Sequence, residues 1–265
     1  MRYLRCVSTG KTSDRLDAPA SDDTILGELV EMAQTHQGRC LAQFRSRSSA
    51  HQYARLYTLV RHHVARGAKV LDWGVANGHF SYFLLRAGYE AYGYSLEDLT
   101  FEPLLHSSPY RFVKGSDPVT LPFDDAVFDA VVSVGVLEHV KETGGNELAS
   151  LREIGRTLRP GGSLICYHLP NRHSWIEWVA RHASQHKHTY RYGRAEIERL
   201  VVEAGLELRG VSRYGALPRN SLGQLPVVLR PSARFARAYD AADAVLAGVL
   251  APVCQNYWFV ACRRS

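Results

Sequence analysis

From Lys69 to Arg263, short apolar runs alternate with amphipathic stretches, a rhythm that few folds accommodate. KVLDW (69–73), EAYGY (90–94), RFVKG (111–115), FDAVVSV (128–134), SLICYHL (163–169), LELRGVSRY (206–214) and NYWFVACR (256–263) read as strands. Between them, HFSYFLLRAG (79–88), the stretch bearing Glu147, Leu148, Leu151, Ile154 and Leu158, and AEIERLVVEAG (195–205) carry apolar residues at helical spacing. Strand, helix, strand at these intervals makes βαβ units. The expected fold class is therefore α/β, with a doubly wound, seven-stranded, mostly parallel sheet. Arg159-Pro160-Gly161-Gly162 should stop one helix before the fifth strand.

Residues 1–21 are polar and read as a loosely ordered start. Asp22-Asp23 then caps a helix through Ile25, Leu26, Leu29, Val30 and Met32, and a second helix spans Ala50 to Ala65. Residues 1–49 form an N-terminal helical extension and 50–265 the main domain. Residues 214–252 are an insertion before the last strand, whose helix places Phe235, Tyr239, Ala242, Leu246 and Val249 on one stripe, as a lid or a dimer element. With 46% hydrophobic residues, 265 positions suffice for a full core. No stretch holds 18 consecutive apolar residues and no apolar leader opens the chain, so neither secretion nor a transmembrane segment is expected. Five scattered cysteines without CxxC spacing suit a reducing cytoplasm. The net charge of +6 is carried mostly by arginines, but they are spread along the chain, which argues against nucleic acid as a partner.

The richest segment is Val70-Leu71-Asp72-Trp73-Gly74-Val75-Ala76-Asn77-Gly78-His79-Phe80, at the end of the first strand. Ligands bind at that edge of an open α/β sheet, and glycines there let a ligand lie against the backbone. Trp73 reads as core. Against the dinucleotide fingerprint GxGxxG, the three positions are Gly74, Ala76 and His79. His79 would crowd the helix–strand approach that the third glycine allows, which disfavours a nicotinamide cofactor.

Four further stretches follow in order: Lys114-Gly115-Ser116-Asp117 with Leu121-Pro122-Phe123, Phe128 to Ser133, Gly135-Val136-Leu137-Glu138-His139-Val140, and Leu158 to Gly162. With Asp72-x-Gly74-x-Ala76-x-Gly78, this combination resembles the class I S-adenosylmethionine-dependent methyltransferases, in particular the broad subgroup that includes ubiquinone and menaquinone biosynthesis enzymes. The resemblance covers roughly residues 50–213. It implies S-adenosyl-L-methionine as cofactor, held by Asp72, Gly74, Ala76 and Gly78, with Ser95 and Glu97 at the ribose, Asp117 at the adenine amino group and Gly135 beside the methionine part. Three positions depart from the family: alanine replaces the middle glycine at 76, Ser95 stands where a carboxylate usually takes the ribose hydroxyls, and Pro118 has no N–H to offer the adenine ring.

The resemblance implies methyl transfer to a small organic acceptor through oxygen, nitrogen or carbon. The donor sulfonium is already a good leaving group, so positioning is the main requirement, and a base is needed only for a protonated nucleophile. His139, after the fourth strand, His168, ending the fifth, and His188, in the cluster His182, His186, His188, are the candidate catalytic residues. Glu138-His139 is similar to the ExxEH of some quinone and RNA-end methyltransferases, but Gly135 replaces the first glutamate, so no metal is expected. Trp175, Trp178, Tyr190 and Tyr192 with the insertion would make an aromatic cap over the acceptor. Arg230, Arg234 and Arg237 would permit contact with a membrane surface. Alternatives are an RNA methyltransferase and a degenerate, non-catalytic scaffold of the same fold, and a homodimer is a further possibility.

Overall fold

The computed structural model describes residues 19–35, 41–105, 107, 109–182, 188–226 and 228–265. The polar start up to residue 18, and His186 of the histidine cluster, lie outside them. The helices are α1 (Asp22–Gln34), α2 (Arg47–Ala50), α3 (Ala54–His63), α4 (His79–Arg86), α5 (Glu102–Leu105), α6 (Glu147–Thr157), α7 (Trp175–His182), α8 (Arg194–Glu203) and α9 (Ala233–Val249). The strands are β1 (Lys69–Trp73), β2 (Glu90–Ser95), β3 (Arg111–Lys114), β4 (Phe128–Val134), β5 (Leu158–Pro170), β6 (Leu206–Tyr214) and β7 (Asn256–Arg263).

They form one seven-stranded sheet in the order β3-β2-β1-β4-β5-β7-β6. β7 runs antiparallel to both of its neighbours, and every other pairing is parallel. Alternate residues of the central strands enter opposite cores. Val70, Ala130, Val132, Ile165 and Val260 meet Leu56, Tyr57 and Val60 of α3 and Phe80, Phe83 and Leu84 of α4. Leu71, Val131, Leu164, Phe259 and Ala261 meet Leu151 and Ile154 of α6 and Ile197 and Val201 of α8. Burial on both faces explains why these strands read as continuous apolar runs. Ile25, Leu26 and Leu29 of α1 join the first core, and Glu28 pairs with Arg86 of α4 at 2.7 Å.

Several expectations shift. Ser21, not the Asp22-Asp23 pair, caps α1, its Oγ accepting the Thr24 N–H. The helix expected over 50–65 is broken into α2, a 3₁₀ turn at His51–Tyr53, and α3. β5 starts at Leu158, where the backbone is already extended and pairs with Phe128, so the Arg159–Gly162 turn becomes an irregularity within the strand, with Gly161 at φ +76°. α9 docks through Ala236, Tyr239, Asp240 and Asp243, while Ala242, Leu246 and Val249 of the expected stripe are exposed. Polar anchors, invisible to an apolar pattern, decide its rotation.

β2 and β4 flank β1, so the winding direction reverses between β1 and β4. Their carboxyl ends open the crevice where ligands of such sheets bind.

Candidate active site

The loop Gly74–Gly78 closes that crevice from below. Gly74 (φ +88°) and Gly78 (φ +73°) hold left-handed backbone that L side chains resist. A Cβ at Gly74 would run into the Val136 side chain, and one at Gly78 would lie 2.8 Å from Phe101 Cβ and 3.0 Å from Leu104 Cδ1. The N–H groups of Gly74 and Val75 both donate to the Tyr94 carbonyl, at 2.8 and 3.2 Å, which ties the loop to β2. Ala76 is exposed at φ +44°, the backbone of a glycine carried by an alanine at a cost of about 1 kcal/mol. Asp72 is buried beneath the loop, where its Oδ2 accepts the Ser81 hydroxyl at 2.6 Å and anchors the start of α4.

The other expected donor contacts ring this loop. Ser95 ends β2 half-buried, its Oγ accepting the N–H of exposed Glu97 at 3.2 Å. Asp117 is exposed, and its Oδ1 accepts the Val119 and Thr120 N–H groups, both at 2.7 Å, which holds its carboxyl below the usual range. The N–H groups just past Pro118 are thus spent inside the turn. Gly135 (φ +66°) ends β4, its N–H donating to the Tyr167 carbonyl at 2.9 Å.

Beside Gly135 a bulge in β5 turns His168 (φ +64°) toward a cavity of about 320 Å³. A Cβ on Gly135 would sit 3.8 Å from that of His168. The cavity lies between residues 51–55, the ends of β5, β6 and β7, and α9. Tyr214 Oη accepts the His168 N–H at 3.0 Å and lies 2.9 Å from its Nδ1, with Asn256 Nδ2 at 3.4 Å. His168 Nε2 is shielded and has no partner among the described residues. Burial pushes His168 down to about 3, so the ring is neutral. The Tyr53 ring stands between His168 and His79, at 5.3 and 4.6 Å.

His139 and His188 lie elsewhere, together with Glu138. His139 pairs with Glu142 at 2.7 Å and His188 with Glu177 at 3.0 Å. The two rings are 5.8 Å apart, and burial raises the Glu138 carboxyl to about 7. The expected aromatic cap does not form. Tyr192 is core, bonded to Glu147 at 2.9 Å, Tyr190 lies under Lys141, Trp178 is 61% exposed, and none of the four lines the cavity. Trp175 donates to the Ala216 carbonyl at 2.9 Å, so it braces the insertion instead. Tyr167 and Tyr214 supply the cavity's aromatic wall.

The methyltransferase-domain family matches residues 42–211, well over half of the chain. The chain belongs to that family. It carries a methyltransferase domain, as the loop motifs implied. Over 51 residues, 19% of its length, it is 41% identical to the Mus musculus protein named "Probable tRNA methyltransferase 9B". It spans only 11% of the length of that curated relative. Similar solved structures include a chain of the Haloferax volcanii complex containing the Trm112 methyltransferase activator, with TM-score 0.55, 18% identity, and coverage of 92% of this chain and 97% of that one. Another is the Burkholderia thailandensis 1,6-didemethyltoxoflavin-N1-methyltransferase with bound S-adenosylhomocysteine, with TM-score 0.54, 17% identity, and coverage of 94% and 93%. At such identities the likeness is one of fold. The methyltransferase's glycine loop provides the shape the cofactor needs, a cradle that any Cβ at 74 or 78 would fill.

Sequence reasoning missed His51, Arg55, Tyr214, Arg219, Asp240 and Asp243 as parts of this methyltransferase's cavity. No motif marks them, because five separate segments contribute. It also passed over buried His79 as a titrating group, which burial pushes down to about 3.

Burial raises Asp72 to about 7, against about 3.9 in an unfolded chain. Between pH 4 and 7 the folded methyltransferase therefore holds a proton that the unfolded chain has lost, and stability falls as pH rises. His79 and His168 act oppositely: between pH 3 and 6.5 the unfolded chain binds their protons, so stability rises with pH. Asp72→Asn should remove only the first effect. Relative to wild type, its unfolding free energy should gain about 1.4 kcal/mol per pH unit from pH 4.5 to 6.5. Urea melts at the two pH values measure this, and a difference that does not change with pH rules it out.

Proposed function

We propose that this methyltransferase methylates a small organic acceptor held in the cavity beside His168. The observation that carries the reading is the cavity's position and size: about 320 Å³, adjoining Gly135 at the end of β4 and roofed by α9. That volume suits a small molecule and not a polynucleotide. Its charges are balanced within the wall, since Arg219 pairs with Asp240 and Asp243, so nothing there calls for a phosphate chain.

S-adenosylmethionine, when bound, supplies a methyl group on a sulfonium. The chain's residues do the rest. Gly74, Ala76 and Gly78 shape the donor cradle over Asp72, Ser95 and Glu97 take the ribose side, Asp117 and Pro118 the adenine side, and Gly135 leaves room at the methionine end. His168, neutral and held at Nδ1 by Tyr214 and Asn256, shapes the wall against which the acceptor is oriented. It positions, since a ring with so low a pKa is a weak base. The insertion roofs the cavity, and the bound S-adenosylhomocysteine in the Burkholderia relative supports the donor assignment.

An RNA acceptor is the second reading, favoured by the short likeness to the tRNA methyltransferase proteins. Calorimetry with S-adenosylhomocysteine, with NADH as control, should give micromolar binding to wild type and to His168→Phe alike. Radiolabelled donor should then label hydroxylated or amino-aromatic compounds, and His168→Phe should lower kcat at least tenfold. Label entering total tRNA instead, with salt-sensitive binding, would replace the small-molecule reading.

A further inference from the structure

We infer that Glu138, His139 and His188 form a binding site for one divalent transition-metal ion. Three independent features meet there. One nitrogen from each imidazole and one Glu138 carboxylate oxygen all lie within 4.8 Å of one another. Glu138 is 2% exposed, and its Oε2 is buried with no hydrogen-bond partner among the described residues, a costly arrangement unless something cationic completes it.

The third feature is the setting of the rings. His139 Nδ1 is held by Glu142 Oε2 at 2.7 Å and His188 Nδ1 by Glu177 Oε1 at 3.0 Å. A carboxylate on Nδ1 fixes that proton and leaves the lone pair of the neutral ring on Nε2, which is how metal-binding histidines are oriented. His188 is fixed more firmly, because its backbone N–H also donates to Glu177 Oε2 at 3.3 Å, and Glu177 is itself buried.

Two imidazoles and one carboxylate suit zinc, iron(II) or cobalt(II) better than magnesium or calcium, which prefer all-oxygen shells. Donor atoms around a zinc-sized ion sit roughly 3.3 Å apart, so the set must contract by about 1.5 Å. His139, whose side chain is 38% exposed, has the room to swing inward. Three protein ligands leave at least one position open for water or an oxygen of an acceptor. A Cβ on Gly135 would lie 3.6 Å from Glu138 Oε1, so the ion would stand beside the end of β4. Its contact with an acceptor rests on the methyltransferase reading. The binding of the ion does not. The absence of a first glutamate at 135 had argued against a metal, and His188, 53 positions downstream, stands in for that ligand in the proposed set.

The full-length protein, dialysed against chelator, is titrated with Co²⁺ and followed by its visible absorption, with Zn²⁺ competition and Mg²⁺ as comparator. One Co²⁺ per chain should bind at micromolar concentration or tighter and be displaced by Zn²⁺. Glu138→Gln and His188→Ala should each weaken binding at least thirtyfold with an unchanged circular dichroism spectrum. Glu177→Gln, acting through His188, should weaken it about tenfold to a hundredfold, and exposed His62→Ala should change nothing. Absence of stoichiometric Co²⁺ binding, binding indifferent to Glu138→Gln and His188→Ala, or occupancy by Mg²⁺ alone overturns the proposal. S-adenosylhomocysteine is titrated in parallel: its failure to bind while Co²⁺ binds sinks the donor reading and leaves this one standing.

Discussion

Gly74→Ala should cost this methyltransferase about 2–6 kcal/mol of stability and weaken S-adenosylhomocysteine binding at least a hundredfold. Two strains add. The residue sits at φ +88°, where an L side chain costs about 1–3 kcal/mol. The new Cβ would also overlap Val136 Cγ2 and lie 2.9 Å from Cγ1, an overpacking that typically costs 1–3 kcal/mol. Val136 belongs to the loop after β4, so relieving the clash moves both walls of the proposed donor cleft. The double variant Gly74→Ala/Val136→Ala separates the parts. It removes both γ-methyls and should restore the overpacking share while leaving the backbone share. Urea unfolding and calorimetry on Gly74→Ala, Val136→Ala and the double variant test this, and a Gly74→Ala protein that binds S-adenosylhomocysteine like wild type would remove Gly74 from the donor site.

Arg219→Ala should cost about 3–5 kcal/mol and loosen the roof of the cavity. The guanidinium, 12% exposed, reaches Asp240 Oδ1 at 2.7 Å and Asp243 Oδ2 at 3.2 Å, and lies over the Tyr239 ring at 5.1 Å. Asp240 also holds His51 at 2.7 Å, and Asp243 accepts the Leu217 N–H at 2.8 Å. Truncation leaves two carboxylates facing each other, one of them only 11% exposed, with no cation between them. α9 has little grease to hold it otherwise, since Val245 and Val249 point outward at 70% and 77% exposure. Amide exchange over 233–249 should therefore accelerate far more than exchange in β1 or β4. Exposed Arg234→Ala should stay within about 0.5 kcal/mol of wild type. A loss under about 1 kcal/mol for Arg219→Ala would show that the network is not what docks the helix.

The central sheet was legible because burial on both faces writes strands as near-continuous apolar runs: FDAVVSV and NYWFVACR are β4 and β7 residue for residue. The glycine loop was legible because its backbone geometry restricts residue type. Everything joined by side chains across distance was not. The α9 stripe was misread because Asp240 and Asp243 look like solvent positions until Arg219 stands opposite them. The aromatic cap was misread because Tyr192 finds a buried partner in Glu147, and aromatic composition says nothing of which side of a loop faces in. His139 and His168 looked alike in sequence, but a bulge in β5 sends only His168 to the cavity.

The sheet order carries a consequence for how the chain is made. β7 lies between β5 and β6, so β6 has no partner strand until β7 exists. The 41 residues from Gly215 to Gln255 separate the two in synthesis. At roughly 5–20 residues per second, the ribosome leaves both β6 and the edge of β5 unpaired for about 2–8 s. For that interval the nascent chain displays two bare strand edges, one beside the developing cavity, and a chaperone that binds extended segments has its opening there.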